Sequence, residues 1–188
     1  MRARRQTDNL LGALALSVTD RMDAVTAAAG RSASAAAALS AMAQFLDGAS
    51  VERLRQVLGL SHSGTVRLVD GLVEDGLVQR LPAADARSTA VTLSAAGHAA
   101  AAETCAAREA VLHNLTAVLD AQELRQLQHL LSKMLTGVVA TKDGGAWICR
   151  RGDVKACGRN EGKCPTAKAA AIKYGTTIPG AGRADRRH

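Results

Sequence analysis

Apolar residues recur along the first part of the chain at the spacing of an amphipathic helix. From Asn9 to about Ala29 they follow one another every three or four residues, at Leu11, Leu14, Val18, Met22 and Val25. This spacing predicts a first helix with one face to bury. An alanine-dense segment predicts a second helix from Ser34 to Leu46, with Ser34 as its N-cap and Asp47-Gly48 as its stop.

Two further helices follow, and only a short turn separates them. We expect Ser50 to cap a short helix that Gly59 ends. Ser61 is expected to cap the next helix, which runs to about Asp75 and stops at Gly76. A pair of helices joined in this way is typical of a helix-turn-helix.

After these helices, apolar and polar residues alternate along the chain, as is typical of a strand. Residues 77–81 and 91–93 alternate on either side of a loop from Pro82 to Ser88, which predicts a two-stranded hairpin. We expect Arg87 at the tip of this hairpin, where its guanidinium can enter the narrow, negative minor groove of DNA, and Asp85 can pair with it. Such a hairpin after a helix-turn-helix predicts a winged helix-turn-helix that binds duplex DNA.

The helix from Ser61 to Asp75 is the predicted recognition helix. Four of its side chains are expected to face inward: Val66, Val69, Leu72 and Val73. The remaining polar side chains are expected to face outward or lie at the margin. They are neutral or basic in the first half and acidic in the second: His62, Ser63, Thr65, Arg67, Asp70 and Glu74. The first turns are therefore expected to enter the groove, with Ser63, Thr65 and Arg67 as base contacts, His62 beside them, and Ser61 at a phosphate.

Two more helices are predicted after the hairpin, one following Ser94 and one starting at Asp120. Glu123 stands three residues after Asp120, as in a capping box. Apolar residues in the last helix step by three and four, at Leu124, Leu127, Leu131, Met134 and Val138. This spacing is typical of helices that pair between subunits, although a contact within one chain explains it as well.

The charge and the aromatic content narrow the kinds of partner. The net charge is +7, yet residues 1–141 carry 13 basic and 13 acidic side chains, whereas residues 142–188 carry 11 and 4. The basic character therefore lies in the tail, which suits contact with phosphate or a solvated arm. Phe45, Trp147 and Tyr174 are the only aromatic residues, too few to stack the bases of a single strand.

Three cysteines, Cys149, Cys157 and Cys164, stand close together in the basic tail. They are candidate ligands of zinc or of an iron-sulfur cluster. The fourth zinc ligand could come from Asp153, His98, His113, His129, Cys105 or water. Alternatively, the thiols form a redox switch, activated by Arg150, Arg151, Lys155, Arg159 and Lys163, or they are unreactive. Cys105 itself is expected to pack on the inner face of its helix.

The order of these elements, the string LVDGLVEDGLVQR and the wing pattern Asp85-x-Arg87 before Val91-x-Leu93-Ser94-x-x-Gly97 resemble the MarR family of bacterial transcription regulators. The resemblance covers roughly residues 8 to 141. It implies a homodimer whose first and last helices interlock, with two winged helices on a pseudo-palindromic site. It also implies release of DNA when a ligand or an oxidant changes their spacing.

The same resemblance carries the family's DNA contacts to Ser63, Thr65, Arg67 and Arg87. The stretch from Cys149 to Ala171 is similar to tails appended to some MarR-like proteins. In those tails a further cysteine forms Cys-x-x-Cys with the first, but Gly152 stands at that position here. A site of four cysteines within one tail is therefore not available.

The sequence thus predicts a mainly α protein, a winged helix-turn-helix with N- and C-terminal dimerisation helices. The expected divisions are a dimerisation helix at 1–33, the DNA-binding domain at 34–93, two dimerisation helices at 94–143 and a basic, partly disordered tail at 144–188. No secretory signal or membrane span is evident, so we expect a cytoplasmic protein with reduced thiols.

The expected function is a double-stranded DNA-binding regulator, acting as a homodimeric repressor that a ligand, metal or redox signal releases. One alternative is a thiol- or metal-dependent redox enzyme, and another is an interaction module whose helix-turn-helix does not bind DNA. An enzyme is not expected, because the sequence shows no nucleophile paired with a base, no phosphate-binding glycine loop and no cluster of histidines. The effector is expected to be an unidentified small molecule or redox signal.

Overall fold

The computed structural model describes residues 2–82, 89–141 and 145–175, which form a mainly helical fold with one small sheet. The helices are α1 Arg2–Ala28, α2 Ala33–Ala41, α3 Val51–Leu58, α4 His62–Glu74, α5 Ala95–Thr116, α6 Ala121–Thr141 and α7 Pro165–Tyr174. The strands are β1 Ala49–Ser50, β2 Val78–Pro82 and β3 Thr89–Leu93. A π-helical turn, Met42–Leu46, extends α2, and 3-10 turns lie at Gly145–Trp147 and Arg159–Glu161. The predicted fold class is confirmed.

Short polar side chains begin most of these helices where the sequence predicts them. Ser50 and Ser61 accept hydrogen bonds from the first turns of α3 and α4. Asp120 and Glu123 exchange backbone hydrogen bonds of 2.9 Å in a reciprocal capping box before α6. The N-cap of α2 is Ser32 rather than Ser34, because the Ser32 hydroxyl accepts the Ala35 N–H at 3.1 Å. The first helix also begins at Arg2, earlier than Asn9.

The sheet holds the hairpin against the helix-turn-helix. Its strand order is β1-β3-β2, with antiparallel pairs throughout, and Val78 faces Leu93 in the register of the hairpin. Gly97 in α5 lies so close to β2 that a Cβ there would stand 1.9 Å from the Leu77 carbonyl oxygen. The wing strands therefore have a fixed position relative to α5.

One apolar core joins α2, α3, α4, the hairpin and α5. Its largest fully buried side chains include Leu39, Met42, Leu54, Val69 and Val91. Burial of each such side chain contributes about 1.5–3 kcal/mol to folding. This shared core sets the angle at which α4 stands on the surface.

The first and sixth helices, by contrast, leave apolar side chains in solvent. Exposed leucines, valine and methionine line them: Leu10, Leu11, Leu14 and Leu16 on α1, and Leu124, Leu130, Leu131, Met134 and Val138 on α6. Within the described chain no helix is both long and apolar enough to span a bilayer. The exposed fractions of these side chains, 41% to 67%, show that the described chain covers the two helices only in part.

The cysteine-containing segment at residues 145–175 folds back onto the winged unit, and we call it the tail module. Its turn at Gly145–Trp147 packs against α3, and α7 packs against α6. The helix α7 gives the second half of the tail module a regular structure. Residues 176–188, the end of the tail expected to be partly disordered, lie outside the described residues.

Candidate nucleic-acid interface

The fourth helix is presented on the surface by a tight turn after α3. Gly59 ends α3 with a φ of +70°, a left-handed conformation that glycine adopts without steric cost. The Ser61 hydroxyl then accepts the Gly64 N–H at 3.1 Å and starts α4. Backbone N–H groups at such a helix start favour an anion, so this end of α4 is suited to a phosphate.

The first half of α4 displays polar side chains with no acid among them. Ser61, His62, Ser63 and Arg67 are all exposed. Arginine and short hydroxyl side chains are the groups that read base edges in the major groove. The outward placement expected for these four residues is therefore what the fold provides.

Thr65 departs from that expectation, since its side chain is fully buried. Its Oγ1 donates a hydrogen bond of 2.9 Å to the Ser61 carbonyl oxygen, one turn earlier. Val73, expected to face inward, is 37% exposed, while Val69 and Leu72 are buried as expected. The buried stripe of α4 thus runs through Thr65, and the prediction that Thr65 faces outward or lies at the margin of the helix is wrong.

An ion pair ties the recognition helix to the first strand of the wing. Arg80 Nη2 on β2 lies 2.6 Å from Asp70 Oδ1 on α4. Both side chains are more than one-third exposed, so the pair contributes little to stability, about 0–1 kcal/mol. Its effect is to neutralise an acid that would otherwise repel phosphate beside the helix. The sequence pattern places Asp70 in the acidic half of α4 but does not indicate Arg80 as its partner.

The tip of the wing carries the other predicted DNA contacts. Asp85 and Arg87 lie outside the described residues, so their roles stay predictions. The strands that lead into and out of this loop are in place, with Pro82 opposite Thr89.

The tail module brings the three tail cysteines to one cavity. Cys149, Cys157 and Cys164 line a space of about 260 Å³ together with Thr166 and Arg108. Thr166 Oγ1 lies 3.0 Å from Cys164 Sγ and 3.5 Å from Cys149 Sγ. Thr166 is not among the residues predicted from the sequence, although its position in the first turn of α7, two residues after Cys164, is a usable signal.

The pKa values of the Cys157 and Cys164 thiols move in opposite directions. Burial raises the pKa of Cys157 to about 11, helped by the hydrogen bond and charge of Cys164. Burial also acts to raise the pKa of Cys164, but hydrogen bonds from the Thr166 side chain and the Ala167 backbone outweigh it, so that pKa is lowered. Cys164 is therefore the thiol of the pair that ionises more readily.

The residues around the cysteine cavity bear on the predicted metal site. Among the described residues, no three or more His, Cys, Asp and Glu side chains stand where they could hold a metal ion. Asp153 lines the cavity but accepts hydrogen bonds from two backbone N–H groups. Cys105 lies instead near Ser40, with 3.8 Å between sulfur and oxygen, and the described histidines do not line the cavity. Zinc or cluster binding by the tail cysteines stays a prediction.

The described fold and its exposed helix define a winged helix-turn-helix protein. Residues 29–88 match the family model described as MarR family. No curated protein matches the chain. Many solved structures do match it, and three of them show how far the likeness extends.

A MarR family protein from Bacillus stearothermophilus is 22% identical, with a TM-score of 0.66 over 75% of this chain and 97% of that one. MepR, a transcription regulator of the Staphylococcus aureus multidrug efflux pump MepA, is 17% identical, with a TM-score of 0.61 over 70% and 97%. A Mycobacterium tuberculosis MarR family protein in complex with p-aminosalicylic acid is 23% identical, with a TM-score of 0.54 over 68% and 96%.

At these identities the structural likeness shows the fold alone. The MarR-family resemblance read from the sequence is confirmed over residues 29–88, the segment that the family model matches. The tail module lies beyond the segment that the family model matches, since the match ends at residue 88.

Proposed function

We propose that this chain is a homodimeric, sequence-specific DNA-binding repressor. Each subunit places the first turns of α4 in the major groove and its wing in the adjacent minor groove. The observation that carries the proposal is the exposure of Ser63 and Arg67 on the acid-free half of α4. A bidentate arginine contact to guanine discriminates against the wrong base by about 1–3 kcal/mol.

The exposed apolar side chains of α1 and α6 support the homodimer. Leu14 is 50% exposed, and Leu131 and Met134 are 43% and 46% exposed. A cluster of large apolar side chains in water marks a surface that another protein covers. A second copy of this chain brings the same two helices, so a two-fold arrangement covers both sets at once. It also places two recognition helices on one duplex, which requires a pseudo-palindromic site.

A cavity between α1 and α5 supports control by a small molecule. It measures about 230 Å³ and is lined mainly by apolar side chains, with Arg31 and Glu103 among them. These two residues form an ion pair of 2.8 Å between the turn that follows α1 and α5. An aromatic acid is bound in the similar structure from Mycobacterium tuberculosis, and Arg31 is the basic group that a carboxylate would meet here.

The proposal is tested by selecting binding sites from a random duplex library with the full-length chain. We expect an inverted repeat whose half-sites lie about one helical turn apart. Sedimentation of the complex is expected to give two chains per duplex. In transcription reactions, a promoter overlapping the selected site is expected to be silenced by the protein. The proposal is contradicted if the selection enriches no sequence, or if sedimentation gives one chain per duplex.

A further inference from the structure

A cavity of about 220 Å³ lies between α3 and the tail module, next to the cysteine cavity. Cys149 and Thr166 line both cavities. The other walls of this second cavity are formed by Arg53, Arg159, Tyr174 and three alanines. No acidic side chain of the described residues lines it. The cavity therefore combines two positive charges with small apolar side chains.

Arg53 enters the cavity wall from the first turn of α3. Its backbone N–H donates to the Ser50 hydroxyl at 3.2 Å, and its Nη1 donates to the Gln56 side-chain oxygen at 3.3 Å. The neighbouring carboxylate of Glu52 is bound by Arg55, which donates to its two oxygens at 2.7 and 2.8 Å. Among the described residues, Arg53 thus forms no ion pair that would neutralise its charge.

Arg159 faces the same cavity from the tail module, where it begins the 3-10 turn Arg159–Glu161. Its guanidinium lies over the Phe45 ring, 5.3 Å from the centroid. This cation–π contact fixes the guanidinium without using up its N–H donors. The nearby Glu161 carboxylate pairs with Lys163 at 2.6 Å. Within the described part of the chain, Arg159 therefore also lacks a carboxylate partner.

We propose that this cavity binds a small organic acid that carries two negative charges. Each guanidinium can hold one carboxylate through two parallel hydrogen bonds, the geometry in which arginine binds carboxylates best. The short hydrocarbon body between the two carboxylates would contact the alanines and the Tyr174 ring. The site is separate from the cavity between α1 and α5, and its occupation does not depend on the proposed function.

A backbone phosphate of DNA is the other anion that two arginines bind. The walls of the cavity favour the small acid, because apolar side chains add affinity for a ligand with a hydrocarbon body and add none for a hydrated phosphate. Arg159 is also half-buried in the cavity wall, whereas cations that bind duplex phosphates lie at an open surface. We therefore assign the two arginines to a small acid.

A bound diacid would connect the winged unit to the tail module. Arg53 belongs to the first helix of the helix-turn-helix, and Arg159 belongs to the tail module. A ligand that bonds both side chains holds the two parts together, and it stabilises the state that binds it. We therefore expect a diacid to slow hydrogen exchange of the backbone amides at residues 158–168.

The site is tested on the full-length chain with two diacids, succinate and phthalate, and with the neutral analogue succinamide. We expect calorimetric titration to show saturable binding of at least one diacid, with one site per chain, and no binding of succinamide. Arg53→Gln and Arg159→Gln are each expected to weaken diacid binding at least tenfold. Arg55→Gln is the matched control, because it removes a cation of α3 that is already paired with Glu52, and it is expected to change the affinity less than twofold.

Arg53→Gln is the more informative of the two variants, because Arg53 is exposed and takes no part in the apolar core. We expect its thermal unfolding without ligand to match that of the unaltered chain, and a diacid to leave its hydrogen exchange unchanged. The proposal is overturned if neither diacid binds, if succinamide binds equally well, or if binding survives both substitutions. It is also overturned if only Arg31→Gln abolishes binding, since Arg31 lines the cavity between α1 and α5.

Binding of a selected duplex is measured separately with the same variants. If Arg53→Gln and Arg159→Gln reduce the affinity for DNA and its salt dependence, while neither diacid binds the unaltered chain, the two arginines are phosphate contacts and the proposal is wrong. If the unaltered chain binds no duplex at all, the proposed function fails, whereas the diacid titrations still decide this site.

Discussion

Gln44 Oε1 accepts a hydrogen bond from the backbone N–H of Val154 at 2.6 Å, across 110 positions of sequence. The same side chain donates to the Gly152 carbonyl oxygen, so one amide satisfies two backbone groups of the tail module. Val154 is itself buried. A buried backbone N–H that loses its partner costs about 1–3 kcal/mol, which makes Gln44 the natural place to test the attachment.

Replacement of Gln44 is expected to loosen the tail module. Gln44→Leu removes both hydrogen bonds, and we expect amides between residues 152 and 158 to exchange at least tenfold faster with deuterium. Gln44→Glu keeps an acceptor for the Val154 N–H and is expected to show a smaller increase. Equal exchange in the unaltered chain and Gln44→Leu would show that the module is held by its other contacts.

Replacement of Arg67 separates specificity from charge. Arg67→Ala is expected to weaken binding to the selected duplex about 5- to 150-fold, because a bidentate base contact is lost. Arg67→Lys keeps the positive charge but lacks the planar guanidinium that can make two hydrogen bonds to one base. We therefore expect it to retain non-specific binding and to lose discrimination between the selected and scrambled duplexes. Anisotropy titrations with selected and scrambled duplexes measure both. If Arg67→Ala discriminates between selected and scrambled duplexes as well as the unaltered chain does, Arg67 is not part of the interface.

The wing is tested by Arg87→Ala. We expect weaker DNA binding at moderate salt with unchanged thermal unfolding, because the Arg87 guanidinium is predicted to contact the minor groove. Binding of both proteins is measured over a range of salt concentrations. Because Arg87→Ala removes a positive charge that is predicted to contact DNA, the affinity of the variant should also depend less on salt concentration. Unchanged affinity would show that the wing does not take part.

The contact between α5 and the hairpin predicts opposite effects of two glycine substitutions. A Cβ at Gly97 would stand 1.9 Å from the Leu77 carbonyl oxygen, which also accepts the Ser94 N–H at 3.0 Å. Gly97→Ala is therefore expected to lower the free energy of unfolding by about 1–3 kcal/mol or more.

Gly71 in α4 is the matched control, since a Cβ there meets nothing within 4 Å. Gly71→Ala is expected to raise stability by up to about 1 kcal/mol, because alanine favours a helix interior. Urea denaturation of both variants measures the difference. A stable Gly97→Ala protein would mean that the hairpin can move away from α5.

The sequence predicted the helix boundaries best where a short side chain fixes them. Ser50, Ser61 and the Asp120–Glu123 pair act locally, through hydrogen bonds within three residues. The face of α4 was harder to predict, because a threonine can be buried when its hydroxyl bonds the carbonyl one turn earlier. A prediction from apolar character alone therefore assigns Val73, and not Thr65, to the buried face of α4.

The attachment of the tail module could not be predicted from periodicity. Gln44 and Val154 belong to no shared pattern, and their contact follows only from the folded positions of α2 and the tail. The cysteines were grouped correctly because they stand close together in sequence. Their contacts with Thr166, however, depend on how the segment between Cys149 and Cys164 folds.

The central claim, that α4 reads duplex DNA in a sequence-specific way, is tested most directly by competition at 150 mM salt. Labelled selected duplex is displaced by unlabelled selected or scrambled duplex, using the unaltered chain and a Ser63→Ala, Arg67→Ala double variant. The account predicts at least about a thousandfold preference for the selected sequence, as specific regulators show, and its collapse in the double variant. Equal displacement by both duplexes, or a preference that survives the double substitution, would contradict it.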